Sequence, residues 1–233
     1  MLDRQRHEQI LKNILRDILK NYSLTTSLAL KGGTCLYLFY NLPRFSVDLD
    51  FNLTNSSSFD PKKITHTLKQ YLNLSQQEVE KQSTWLWLGS FEKGRQKVKI
   101  EISKRQFPDK YIPKPFYGLS VNTMAPEYMF AHKLCAITDR TILQNRDLFD
   151  SWFMFKSQFP LNEQTITLRT GQSASNYLVT LKEYIQNNIS PSGILNGLGE
   201  LLNQSQKHWV KENLLDELVF QIQLKVESLK QQK

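Results

Sequence analysis

Leu30-Lys31-Gly32-Gly33-Thr34-Cys35-Leu36-Tyr37-Leu38-Phe39-Tyr40-Asn41-Leu42-Pro43-Arg44-Phe45-Ser46-Val47-Asp48-Leu49-Asp50-Phe51-Asn52-Leu53 decides how this chain is built. A short strand over 28–30 enters a Gly-Gly turn. The turn opens a helix over 34–40, which Pro43 ends. A second strand over 47–53 then carries Asp48 and Asp50. Alternate strand residues share a face, so the two carboxylates point one way and Val47, Leu49, Phe51 and Leu53 the other. Like charges side by side on a strand repel. A divalent metal is the simplest partner that makes them favourable. A glycine turn beside two metal-ready carboxylates suits a nucleoside triphosphate.

Other residues join this pair by position. In Lys97-Val98-Lys99-Ile100-Glu101-Ile102-Ser103, the apolar residues face one side while Lys97, Lys99, Glu101 and Ser103 face the other. A strand here that neighbours 47–53 brings Glu101 towards the aspartates; an ion pair with Lys97 or Lys99 is the plainer alternative. Gly32 and Gly33 free the backbone to approach phosphates, and their N–H groups stand at a helix start. Thr34 either caps that helix or bonds a phosphate oxygen. A simple tight turn is the plainer reading of the glycines, and no Walker-type Gly-x-x-x-x-Gly-Lys-Ser/Thr is present. Ser46 shares the Asp48 face, and Arg44 braces either the loop or the triphosphate. The aspartates themselves have a structural alternative, bonding to Arg44, Lys31 or loop amides. Lys133 sits within an apolar helical stripe, where a lysine must snorkel or find a partner. Asp147 and Asp150, three apart, share a helix face, and Arg146 and Asp150 are spaced for an ordinary helix pair. His7, His66, His132 and His208 have no ligand spacing.

Gly-Gly-Thr, a short helix and Arg-x-Ser-x-Asp-x-Asp together resemble the nucleotidyltransferase superfamily, and within it the AbiEii/AbiGii-type toxins of bacterial toxin–antitoxin and abortive-infection systems. The matching residues are Lys31, Gly32, Gly33, Thr34, Leu36, Arg44, Ser46, Asp48, Asp50 and Phe51, then Glu101, Lys133 and Arg146-Asp147-Leu148-Phe149-Asp150. The likeness runs over about residues 1–155. It implies an α/β (α+β) fold, a small mixed-sheet nucleotidyltransferase domain followed by an α-helical domain. It implies Mg2+ or Mn2+ on Asp48, Asp50 and Glu101. Nucleotide contact falls to Lys31, Gly32, Gly33, Thr34, Arg44, Ser46 and Lys133, and catalysis to Asp48, Asp50, Glu101, Lys133 and Asp147. It also implies an NTP substrate, an RNA acceptor such as the tRNA 3′ end, and a cognate antitoxin. A protein or small-molecule acceptor, or a non-catalytic nucleotide- or RNA-binding module, stands as the alternative.

Composition narrows the field. The 233 residues suffice for one large or two small domains with a sizeable core. No apolar run reaches membrane-spanning length, and Met1–Glu8 lacks a signal-peptide stretch. Cys35 and Cys135 fall within helical patterns and read as core thiols of a reducing compartment, so a cytoplasmic location with no membrane partner is expected. The net charge of +8, from 30 Lys and Arg against 22 Asp and Glu, favours a polyanionic partner over a small cationic acceptor. Basic residues cluster over 93–105 and 110–114 with Phe91, Phe107, Tyr111, Phe116 and Tyr117 interleaved, a pattern suited to single-stranded RNA or simply to an exposed strand and loop.

Periodicity supplies the remaining elements. Leu2, Ile10, Leu11, Ile14, Leu15, Ile18 and Leu19 form a helical stripe over 3–21. A helix over 61–74 begins at Pro61. Strands follow at 77–81, 84–91 and 97–104, with a hairpin turn at 92–95. Residues 107–117, with three prolines, read as an extended crossover. Helices are expected near 126–138, 146–157, 175–188, 191–204 and 210–230, the last capped by Asn213. The expected domains are 1–122, carrying the transferase site, and 123–233, contributing Lys133 and Asp147.

Overall fold

The computed structural model describes residues 3–92 and 97–231. Leu2 of the N-terminal stripe, and Lys93, Gly94 and Arg95 of the expected hairpin turn, lie outside the described residues. The chain divides into two compact units, Met1–Ala125 and Pro126–Lys233.

In the first unit the elements run α1 (Arg4–Lys20), α2 (Tyr22–Thr25), β1 (Leu28–Lys31), α3 (Gly32–Tyr40), β2 (Leu49–Leu53), α4 (Pro61–Lys69), β3 (Asn73–Glu80), β4 (Thr84–Ser90), β5 (Val98–Ser103), β6 (Tyr111–Phe116) and β7 (Leu119–Met124). The strands form one mixed sheet in the order β3-β4-β5-β2-β1-β7-β6. β2 lies at its centre, antiparallel to β1 and parallel to β5. The expected alternation holds: Val47, Leu49, Phe51 and Leu53 are buried, while Asp48 and Asp50 keep partial exposure. Ile14, Leu15 and Ile18 of α1, Ile64 and Leu68 of α4, and Ile100 and Ile102 of β5 complete the core. Trp87 is fully buried, and its indole N–H donates to Thr65 Oγ1 at 2.8 Å, which ties β4 to α4.

The helix expected over 61–74 stops at Lys69, and β3 begins at Asn73. The proline-rich segment is no crossover. β6 and β7 form an antiparallel hairpin whose two turn residues, Tyr117 at φ 48° and Gly118 at φ 77°, both take the left-handed conformation such turns require. Pro113 and Pro115 are tolerated because β6 is the sheet edge.

The second unit holds α5 (Pro126–Asp139), α6 (Asn145–Lys156), α7 (Glu163–Thr170), α8 (Ala174–Asn188) and α9 (Gln204–Gln231). α9 packs on α6 and α8 through Val210, Leu214, Leu218, Ile222, Val226 and Leu229. No helix spans 191–204. Two short 3-10 turns, Pro191–Gly193 and Gly199–Leu201, flank Gly197, whose φ of 66° breaks helical geometry. α9 starts earlier than expected, and Asn213 lies inside it. Asn203 caps it instead: its side chain accepts from the Gln206 N–H, and the Gln206 side chain accepts from the Asn203 N–H, a reciprocal capping box. α7 was not anticipated, although Asn162 caps its start and left-handed Gly171 its end. Among the described residues no helix is long and apolar enough to cross a membrane.

Candidate active site

Strand register brings the first group together. Lys31 on β1 pairs with Asp50 on β2, and Asp50 pairs with Glu101 on β5. Cross-strand partners share a face, so Lys31, Asp50 and Glu101 form one row; Asp48 stands just before β2, near enough for its charge to act on Asp50. α3 starts where β1 ends. Gly32, at φ 75°, lies so close to Asp50 that a Cβ there would meet its Oδ2 at 2.9 Å. The Asp50 carboxylate therefore faces the glycine turn.

Behind the turn the packing is tight. A Cβ at Gly33 would meet Arg44 Nη2 at 2.6 Å and Ser46 Oγ at 3.1 Å. Arg44 is buried, and its Nη1 donates to the Phe45 carbonyl at 2.9 Å. Thr34 is also buried; its hydroxyl meets Ser46 Oγ at 2.8 Å and the Asp48 carbonyl oxygen. Thr34, Arg44 and Ser46 thus lock the start of α3 to the segment entering β2.

Electrostatics set Asp50 apart. Burial pushes its carboxyl above the ordinary carboxylate range, the negative charges of Asp48 and Glu101 push it further, and Lys99 and Lys31 oppose them. Lys99 sits among these acids. Its Nζ lies 3.1 Å from Glu101 Oε2 and 3.9 Å from Asp50 Oδ1, and its backbone N–H donates to Asp48 Oδ1 at 3.3 Å. Burial alone would lower the Lys99 ammonium, but Asp50, Glu101 and Asp48 outweigh it and hold the group above the usual lysine range. The ion pair read as the plainer alternative for Glu101 is thus present, along one strand. Among the described residues no group of three or more His, Cys, Asp and Glu side chains is placed to hold one metal ion. Two oxygen-donor aspartates whose ionised forms crowd each other still fit a magnesium-type ion, which takes one or two carboxylates and completes its shell with water and phosphate oxygens.

His7, which showed no ligand spacing, lies fully buried with a ring nitrogen 2.9 Å from the Val47 carbonyl oxygen. Phe45 and Phe91 stand edge-on to its ring. Burial lowers its pKa against the opposing pull of Val47 and Asp48. Its place on the buried stripe of α1, four residues before Leu11, was the available signal.

In the helical unit Lys133 of α5 pairs with Asp147 Oδ1 and Asp150 Oδ2 of α6, each at 2.8 Å, and Arg140 Nε lies 2.8 Å from Asp147 Oδ2. The side chains of Lys133, Asp147 and Asp150 are only 14%, 3% and 0% exposed. The two free cysteines are buried, and burial pushes Cys35 up to about 12 and Cys135 up to about 11, so neither thiol is poised as a nucleophile.

The family model described as "Nucleotidyl transferase AbiEii toxin, Type IV TA system" matches residues 13–218. No curated protein matches the chain. The crystal structure of an H. pylori protein described as a candidate nucleotidyltransferase superposes with a TM-score of 0.65 at 23% identity, covering 99% of this chain and 97% of that one. The crystal structure of JHP933 from Helicobacter pylori gives 0.62 at 24% identity, covering 100% and 96%. At such identities the likeness establishes the fold, while the family match extends over most of the sequence. With its Gly-Gly-Thr turn and paired aspartates, the chain belongs to the AbiEii nucleotidyltransferase toxins of toxin–antitoxin systems.

Proposed function

We propose that this nucleotidyltransferase moves a nucleoside monophosphate from a metal-bound NTP to an acceptor hydroxyl on RNA, with the tRNA 3′ end as the acceptor that the family resemblance offers. The observation that carries this reading is the row Lys31, Asp50 and Glu101 across three adjacent strands, with Gly32 set against the Asp50 carboxylate. Asp48 and Asp50 hold Mg2+ or Mn2+, with Glu101 beside them. When bound, the ion neutralises phosphate charge and stabilises the attacking and leaving oxygens.

The chain's own groups do the rest. Backbone N–H groups opening α3 lack intrahelical partners and receive phosphate oxygens, helped by Lys31 and Ser46. Arg44 and Thr34 serve the nucleotide by fixing that turn. The acceptor hydroxyl passes its proton to Glu101 or Asp48 while its oxygen bonds to the α-phosphorus. The bond from that phosphorus to the bridging oxygen breaks, and pyrophosphate leaves. By the same resemblance Lys133 binds phosphate and Asp147 arranges the site. The charge of +8 supports an RNA acceptor, and the toxin family implies an antitoxin partner.

Incubation with total RNA, Mg2+ and each α-labelled NTP in turn tests the reading. Label on one RNA size class, lost in Asp48→Asn, is the expected result. Label on a protein or small molecule would replace the acceptor. No label with any NTP, in Mg2+ or in Mn2+, would end the transfer reading.

A further inference from the structure

We propose that Lys99 is a built-in counter-cation of the site, holding Asp50 and Glu101 until a divalent metal arrives with the triphosphate and takes its place. The inference rests on the metal-site reading above and concerns a residue to which that reading gives no role.

The geometry is specific. Lys99 and Glu101 are two apart on β5 and so share a face. The ammonium reaches Glu101 at 3.1 Å and Asp50 at 3.9 Å, while the backbone N–H of the same residue reaches Asp48 at 3.3 Å. One residue therefore contacts all three carboxylates. These contacts divide into a fixed part and a movable part. The N–H bond belongs to the β5 backbone and keeps Asp48 aimed whatever the side chain does. The ammonium rides on four methylenes and is a point charge without the fork that commits an arginine to one geometry.

The surroundings favour exchange. The Lys99, Asp50 and Glu101 side chains are 33%, 31% and 36% exposed, so neither ion pair is sealed from water. Partly exposed pairs are weak enough to be broken by a better-charged partner. A doubly charged ion competes with the ammonium for Asp50, and the displaced ammonium then lies next to triphosphate oxygens that arrive with the ion. Metal alone must evict Lys99 with nothing to receive it, whereas metal with nucleotide supplies a new partner. Lys99 thereby makes metal loading depend on substrate.

Mn2+ titration without nucleotide, followed by electron paramagnetic resonance, tests this on wild type and Lys99→Met. Removing the competitor should tighten Mn2+ binding about tenfold, the size expected for losing one screened charge contact. It should also lower the melting temperature of the metal-free protein, with added Mn2+ restoring more of it than in wild type. Unchanged or weaker Mn2+ binding by a folded Lys99→Met would overturn the inference. Should that variant not fold, acetylation of Lys99 in wild type, read by mass spectrometry, decides instead. Saturating Mn2+ should speed it, and an unchanged rate refutes displacement. Wild type that binds no Mn2+ even with NTP removes the metal reading and this inference with it. Wild type that binds Mn2+ with NTP while Lys99→Met changes nothing removes this inference alone.

Discussion

Asp50 is ionised at a cost. Burial and its acidic neighbours raise its pKa in the folded chain, so folding disfavours its charge, and this group's contribution to stability falls as pH rises through the folded value. Neutral Asp50→Asn should then melt at or above the wild-type temperature while nucleotidyl transfer drops on the order of 10²-fold or more. A marked fall in melting temperature would show that Asp50 is structural. Gly33 makes a different demand. Its missing Cβ is the space Arg44 fills, so Gly33→Ala must move a buried guanidinium. It should cost about 1–3 kcal/mol in chemical denaturation. His7 has a lowered pKa because it is buried, so its neutral form favours folding. That contribution is complete above its ordinary value of 6.5 and is lost as pH falls below it. Melting curves across this range should fall less steeply towards acid for His7→Gln than for wild type. Equal slopes would remove His7 as the cause.

Between α5 and α6, Lys133 neutralises two almost fully buried aspartates. Lys133→Met takes a cation away from both, with Arg140 still beside Asp147, and should cost about 3–5 kcal/mol. Lys133→Arg keeps a cation there. If it folds normally yet loses transfer, phosphate binding is the residue's second task; if it folds and retains transfer, bracing the two helices is its whole task. The sequence announced α5 and α6 through their stripes but not this ion cluster, because spacing along one helix says nothing of a partner on the next. Asp50 and the alternating Leu49, Phe51 and Leu53 were legible since a strand's two-residue period fixes each side chain's face without tertiary information. The β6–β7 hairpin was hidden by Pro113 and Pro115, which argue against a strand unless it is known to lie at an edge. α7 was hidden by Thr165, Ile166 and Thr167, β-branched residues of modest helix propensity, and its signals were the flanking Asn162 and Gly171.

Across the chain, an α/β unit followed by a helical unit was readable, while β6, β7 and α7, the break of 191–204 into two 3-10 turns and the Lys31–Asp50–Glu101 row were not. A row needs register, and register across β1, β2 and β5 is set by packing among segments far apart in sequence. Net charge belongs to the whole molecule too. If +8 draws RNA to the protein, the logarithm of the RNA association constant should fall linearly with that of salt concentration. Association indifferent to salt would dissociate charge from acceptor choice. The most direct test is calorimetric titration of NTP into wild type and Asp48→Asn, each with and without Mg2+. Saturable binding that requires Mg2+ and disappears in Asp48→Asn is the result expected of two aspartates and a glycine turn gripping a metal-bound triphosphate. Equal NTP binding with and without Mg2+, or undiminished Mg2+-dependent binding by Asp48→Asn, would contradict it.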